Sequence, residues 1–518
     1  MSQVLSASAD VDSDLLRRID ELARTTFAPI AERWGERHET CRELVEAMAR
    51  EGLFRINLPR ELGGEDARYS TLLCHIREIL GYHSPVADVT FALQGLGTAA
   101  IVRMGSPAQH DRYLPGLING ERLFSFGLTE PHSGSDVLGM RTRARRDGDE
   151  WVLDGEKMFV SGAPDADVYV VFARTDEEER GKGITAFIVE KGTPGFTPRG
   201  DIELAAPHAI GHLDFDGCRL PDSQRLGEVG EGLRAALGTL EVYRPSVGAY
   251  TLGVLRRARD LAVEFASGRQ SFGQTLLDIP AIRIKIGRMV VAWLAGKALV
   301  EHAARLRDAG ERTLREAAIA KVYATESAVA AVYESQQIHG GRGVMRTFEI
   351  EALARDVRPA TIYEGASEIQ RTVIARAVRT GRAAAFPAPA ASVPADVRDL
   401  LGGLRETFAA WAADVAAAGH ADDAVAWIRV ADADIAIAAA EALAAADGVG
   451  TADVREPAVA VAAAQAVRAL ATAVAATGVG GDAVRAGLAD AERRAAGLGA
   501  AEDDLLLLAA ARHLGRDR

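Results

Sequence analysis

Between residues 123 and 225 the chain changes texture, and that change restricts its fold more than any other feature. EWVLDGEKMFVSG, ADVYVVFART and GITAFIVEKG are short, rich in Val, Ile, Phe and Tyr, and cut by Gly, Asp and Pro. Repeated short strands with such turns fit a small antiparallel barrel or sandwich. On either side the apolar residues recur at three- and four-residue intervals instead. LLRRIDELARTTFAPIAERW and RELVEAMAREGLF do so before it, and REAAIAKVYATESAVAAVYESQQIHG after it, which is the periodicity of helices. The sequence therefore predicts a mainly α chain with a β insert: a helical domain over 1–122, a β domain over 123–231 and a helical-bundle domain over 232–382. An Ala/Pro linker at 383–399 follows, then an alanine-rich helical extension over 400–518.

The bulk numbers agree with a soluble globular protein rather than a binder of polyanions. A chain of 518 residues is too long for one core, and about two to four domains are expected. The net charge of −13 argues against nucleic acid or an anionic membrane surface as the main partner. Cys41, Cys74 and Cys218 are far apart and odd in number, which suits a reducing cytoplasm and gives no zinc spacing. The N-terminal MSQVLSASADVDSDLL lacks a basic and an apolar region, so no secretion signal is read. Residues 458–481 are apolar but mostly alanine, with Arg468 near the middle; a packed helix is expected there, not a membrane span. The extension lacks lysine and carries more acids than bases, so attraction to anionic lipid is not expected.

No hydrolytic, phosphate-loop or metalloprotease motif occurs. Gly230-Glu-Gly232-Leu-Arg-Ala235 has no strand before it and reads as a turn entering a helix. Arg141, Arg143 and Arg145 alternate, as on a solvated strand face. Four other stretches are denser in unusual residues. FGLTEPHSGSD, 126–136, gathers small and hydroxyl residues around a Glu-Pro turn, a composition that fits either backbone amides approaching a flat polar ligand or an ordinary strand-connecting loop. GRQSFG, 268–273, sets Arg269 three residues before Phe272, a pairing suited to a pyrophosphate and a ring, or simply a helix end. QIHGGRG, 337–343, offers a glutamine and two glycines, with His339 taken as packed. In RPATIYEGASEIQR, 358–371, Glu364 precedes a glycine on a loop, and Ser367 and Gln370 have the spacing of a capping box.

These pieces, with DGEKMFVSGAPDADVYVVFA and EVYRPSVGA, occur in the order and with the gaps of the acyl-CoA dehydrogenase family. The chain resembles that family over roughly residues 10–382. The resemblance implies the family's architecture: an N-terminal helical domain, a small antiparallel β-barrel or sandwich and a C-terminal four-helix bundle, here with an extra α-helical extension. It also implies FAD. Phe126, Leu128, Thr129, Gly134 and Ser135 would line the flavin, Phe159, Val160 and Ser161 would lie along it, and Ala366 and Glu368 would approach it. Arg269, Phe272, Gln337, Ile338, Gly340 and Gly341 would reach the FAD of a neighbouring subunit, so a homodimer or homotetramer is expected.

Ser135, Glu241, Arg244, Tyr363 and Gly365 would hold the acyl-CoA, and Glu364 would be the catalytic base. The implied reaction removes the α-proton of the thioester to Glu364 while the β-hydrogen leaves as hydride to flavin N5, giving a trans-2-enoyl-CoA. Burial under apolar substrate raises the pKa of such a carboxylate enough for the task. An electron-transfer flavoprotein is the implied acceptor. The same chemistry on a carrier-protein-tethered acyl group, a flavin oxidase or monooxygenase, and a non-catalytic scaffold are the competing readings. The sequence departs from the pattern at Ala366, where many members place threonine, at Glu368 for glutamine, at Pro280 for glutamine and at Glu241 for aspartate.

Overall fold

The computed structural model describes residues 13–513 apart from 65–68, 177–182, 384–385, 419, 421–422, 447–448, 450–451, 498–505 and 508–512. Two compact units divide the chain, one of residues 18–243 and one of the residues after Tyr243 together with 13–17. The boundary falls inside a single long helix.

In the first unit six helices come first: α1 (Ser13–Leu22, shared with the second unit), α2 (Ala28–Trp34), α3 (Arg42–Arg50), α4 (Tyr69–His83), α5 (Pro85–Met104) and α6 (Pro107–Ile118). Local chemistry fixes their starts. The Ser84 hydroxyl accepts from the Ala87 amide and Pro85 opens α5. Ser106 and Gln109 form a capping box at α6, again with proline first. Helices α4 and α5 are tied by the Arg77–Asp88 pair at 2.7 Å, both side chains buried.

The β domain is one eight-stranded sheet, in the order β6-β7-β3-β2-β4-β5-β8 with β1 beside β4. Its strands are β1 (Phe124–Gly127), β2 (Arg143–Asp147), β3 (Glu150–Ser161), β4 (Val168–Arg174), β5 (Ile184–Glu190), β6 (Phe196–Arg199), β7 (Ile210–Pro221) and β8 (Arg225–Leu226). The pairs are antiparallel except β1–β4 and the single β2–β4 contact, which are parallel. In β4 and β5 every residue is buried except the last, so their continuous apolar runs mark strands covered on both faces. In β2 only Ala144 is buried, and Arg143 and Arg145 face solvent as their alternation predicts.

Helix α7 (Gly232–Gly268) opens at the glycine-rich turn, as expected. After a hairpin of β9 (Gln270–Ser271) and β10 (Gln274–Thr275) come α8 (Pro280–Asp308), α9 (Leu314–His339), α10 (Glu349–Val357) and α11 (Ser367–Arg379). The extension supplies α12 (Ala395–Ala417), α13 (Ala424–Ala445), α14 (Ala452–Thr477) and α15 (Asp482–Gly497). Helix α12 starts inside the stretch read as a linker, and Phe386, Ala390 and Val393 just before it are buried.

The extension packs on the bundle. Helix α13 lies against α8, α11, α12 and α14. Asp434 of α13, fully buried, receives two bonds from Arg315 of α9, at 2.8 and 2.7 Å, and one from Arg405 of α12 at 2.7 Å. Asp432 of α13 takes Arg371 of α11 at 2.6 Å. Among the described residues two helices are apolar and long enough by composition to cross a membrane, α5 and Val454–Thr477 of α14, and 56% of each window is buried inside the protein. Within the described residues the apolar 458–477 stretch is a packed helix, as the sequence suggests.

Candidate active site

The stretch around Glu364 is built by three turns of backbone in succession. After α10 a tight turn spans Arg358–Thr361, and the amides of Ile362 and Tyr363 both donate to the Pro359 carbonyl. Glu364 and Gly365 then take left-handed backbone angles, φ +53° and +101°, before α11 begins at Ser367. For glycine this conformation is easy. For glutamate it costs about 1–2 kcal/mol and persists only where surrounding groups enforce it.

Those groups are cations on neighbouring helices. The Lys321 ammonium of α9 donates to the carbonyls of Tyr363 at 2.7 Å and Gly365 at 2.6 Å. Arg244 of α7 donates from Nε to the carbonyl between them, that of Glu364, at 3.3 Å. Three successive carbonyls are thus held by side-chain cations. A Cβ at position 365 would come 2.1 Å from Nε2 of Gln370 and would have to push that amide aside, and the φ of +101° itself favours glycine. Glu364 itself is half-buried and its Oε2 is shielded from solvent. Burial drives the Lys321 pKa down to about 8, and the neighbouring Glu364 charge opposes that fall.

The predicted capping box does not form. Helix α11 is N-capped by Ala366 without a side-chain bond. Ser367 stands one residue too far in, and its buried hydroxyl has no hydrogen-bond partner among the described residues. The nearby Glu326 carboxylate takes Arg371 at 2.6 and 2.9 Å, which helps hold it below the usual range against the opposing effect of burial. The Gln370 amide is buried beside Gly365, and neither of its polar atoms has a partner among the described residues.

The β domain assembles the second group. Strand β1 delivers Phe126, and Leu128 and Thr129 follow, half-buried; Gly134 and Ser135 are exposed. The loop is braced from beneath by Glu130, whose carboxylate accepts from the Arg141 and Thr142 amides at 2.5 and 3.0 Å and from the buried Lys157 at 2.7 Å. Desolvation depresses the Lys157 pKa to about 8 although Glu130 resists it. The Met158 amide bonds the Thr129 carbonyl at 2.8 Å, joining loop to strand β3. Phe159 follows with φ +54° and half its surface exposed, while Val160 is buried. The Ser161 hydroxyl meets Nε2 of His208 at 2.8 Å, and desolvation lowers the His208 pKa to about 4.

In the second unit Arg269 is exposed beyond α7, and Phe272 tips the two-residue hairpin. Phe272 has φ +52° and is 93% exposed. Gln337, Gly340 and Gly341 are exposed and Ile338 is buried. His339 is packed, as read from the sequence: it stacks on Phe265 at 4.4 Å and its Nδ1 bonds the Ser335 carbonyl. Glu241 and Arg244 lie one turn apart on α7, both half-buried. Tyr363 is exposed, Ala366 half-buried and Glu368 exposed at the head of α11.

Phe159, Phe272 and Glu364 are the three described non-glycine residues with positive φ, and all three were singled out from the sequence. Lys321, His208 and Lys157 were not, and Gln370 was read only as half of a capping box. Lys321 left one faint trace, a lone cation within the alanine-rich run EAAIAKVYA.

A helical domain, a β domain and a helical bundle carrying a loop carboxylate define a class of flavin-dependent oxidoreductases acting on CH–CH bonds. The N-terminal, middle and C-terminal domains of acyl-CoA dehydrogenase match residues 10–121, 125–218 and 230–379. An acyl-CoA dehydrogenase of Bacillus subtilis is 35% identical over 363 residues, 70% of this chain and 96% of the relative. A 3-(aryl)acrylate reductase of Clostridium sporogenes is 37% identical over 368 residues, 70% of this chain and 97% of the relative. The solved structure of a Bacillus anthracis acyl-CoA dehydrogenase complexed with FAD superposes on 99% of this chain and 97% of its own, with a TM-score of 0.84 at 24% identity. That likeness shows the same fold through the extension. The chain belongs to the acyl-CoA dehydrogenase family, and it is an FAD-dependent oxidoreductase.

The residues present fit FAD. Phe159 and Phe272 present rings to solvent from left-handed backbone, a doubly costly arrangement that a flat aromatic ligand relieves. Nothing lies within 4 Å of where a Cβ would stand at Gly134, Gly340 or Gly341, so backbone amides there are open to approach. The exposed Arg269 suits a phosphate.

Proposed function

We propose that the protein oxidises an acyl-CoA thioester to the trans-2-enoyl-CoA, with Glu364 as general base. The observation that carries this reading is the left-handed Glu364, with the carbonyls on both sides and its own fixed by Lys321 and Arg244. Strain held in place by two cations is unexplained for a surface acid and expected for a base that must meet one proton. When bound, FAD accepts the β-hydrogen and its electron pair from the substrate. Thr129, Ser135, Phe159 and Ser161 are the residues proposed to hold it, Arg269 and Phe272 are proposed to reach the FAD of a second copy of the chain, and Glu241 and Arg244 to hold the pantetheine arm. An electron-transfer flavoprotein is the proposed acceptor, and a second copy of the chain the proposed partner.

Substrate covering the half-buried Glu364 removes water and makes its carboxylate a stronger base. The Lys321 charge acts oppositely, because a nearby cation favours the ionised carboxylate. A relative named as a reductase is consistent with this assignment, because the same carboxyl group returns the α-proton when the reaction runs backwards. Purified protein should be yellow and should bleach anaerobically with a saturated acyl-CoA. Glu364→Gln should keep FAD and bleach slower by ~10²–10⁴-fold; bleaching at the wild-type rate removes Glu364 from the role.

A further inference from the structure

We propose that Lys321 is a positioning residue for Glu364: by bonding the carbonyls on either side it locks the base in its left-handed conformation, and its charge sets the pH at which that base works. This rests on Glu364 being the base.

The geometry carries the inference. Lys321 is 1% exposed and its ammonium spends two of its three donors on Tyr363 and Gly365. A buried ammonium is costly to desolvate, and a methionine would fill the same space without that cost. What methionine cannot do is hold two carbonyls that point toward one centre.

The charges around it are Glu364 on the loop, Arg244 on α7, Glu326 on α9 and Glu368 on α11. Glu326 is already paired with Arg371 at 2.6 and 2.9 Å, and Glu368 is exposed. Glu364 is therefore the carboxylate that Lys321 chiefly balances, and it is the largest influence sustaining the ammonium against burial. Because Lys321 titrates near 8, the clamp weakens as pH rises through that value.

The test uses the FAD-loaded holoprotein with Lys321→Met and Lys321→Arg. Lys321→Met should bind FAD fully, lower kcat by ~10-fold or more with a smaller change in KM, and lose the alkaline fall near pH 8. Its acid limb should move up, since an opposing charge has gone. Lys321→Arg keeps the charge and should keep the acid limb in place. Amide hydrogen exchange across 362–366 should speed up in Lys321→Met. A lowered rate with both pH limbs unmoved would leave Lys321 a packing residue and overturn the proposal, as would unchanged exchange. Should Glu364→Gln bleach at full rate, the functional reading falls, yet faster exchange in Lys321→Met would still establish the clamp.

Discussion

Position 365 shows how little freedom the site leaves a single residue. Gly365 has φ +101°, and a Cβ there would lie 2.1 Å from the buried Gln370 amide. Gly365→Ala must then displace Gln370 or twist the loop, and the strained backbone alone costs about 1–3 kcal/mol. The expected result is a lower melting temperature and a large loss of kcat with FAD retained; a variant as stable and active as wild type would show that the loop relaxes. Glu364 was legible in the sequence because a family pattern places a carboxylate before that glycine. Its conformation was not legible. A left-handed glutamate is imposed by Lys321 and Arg244, 43 and 120 residues away along the chain, and no local signal reports such partners. The capping box misled because the helix starts one residue earlier than its spacing implies: Ala366 is the N-cap, and Ser367 is already inside the first turn.

Elements were easier to read than their braces. The helices, the strand-rich insert and the turn before α7 follow from periodicity and from glycine and proline placement, all of which act within a few residues. The Glu130–Lys157 pair beneath the loop that carries Thr129 and Ser135 joins residues on different segments, and both are buried. Lys157→Met leaves the Glu130 carboxylate buried with two amide donors and no countercharge, which should cost about 3–5 kcal/mol. Thermal unfolding of the holoprotein measures this, and loss of FAD should accompany it, because the loop bearing Thr129 and Ser135 is held by that carboxylate. An unchanged melting temperature with full FAD would show that the two backbone bonds suffice.

At the scale of the molecule, the extension is the part whose partner the sequence concealed. Its helices were plain from alanine-rich composition, whereas its attachment depends on Asp434, which receives Arg315 from the bundle and Arg405 from the extension. Burial alone would raise the Asp434 pKa, but the two arginines hold it below the usual carboxylate range. Its contribution to stability is therefore fully present above the ordinary aspartate pKa of about 4 and is lost as pH falls below that through the depressed value. Asp434→Ala removes the carboxylate that Arg315 and Arg405 share, leaving each with only its other acid, Glu316 and Glu441, and should destabilise the protein by about 3–5 kcal/mol at pH 7. The penalty should shrink on acidification, because the wild type then loses the same charge. A pH-independent difference in unfolding free energy would mean that packing, not this charge, joins extension to bundle.

The account turns on Glu364 taking a proton from the carbon next to the thioester. A thioester in which sulfur replaces the β-carbon has no β-hydrogen to lose, so it isolates that proton transfer from oxidation. Incubated with holoprotein in deuterated water and followed by proton NMR, wild type should exchange the α-hydrogens and Glu364→Gln should exchange them at least ~10²-fold more slowly. Equal exchange by the two proteins, with ligand bound equally, would contradict the assignment.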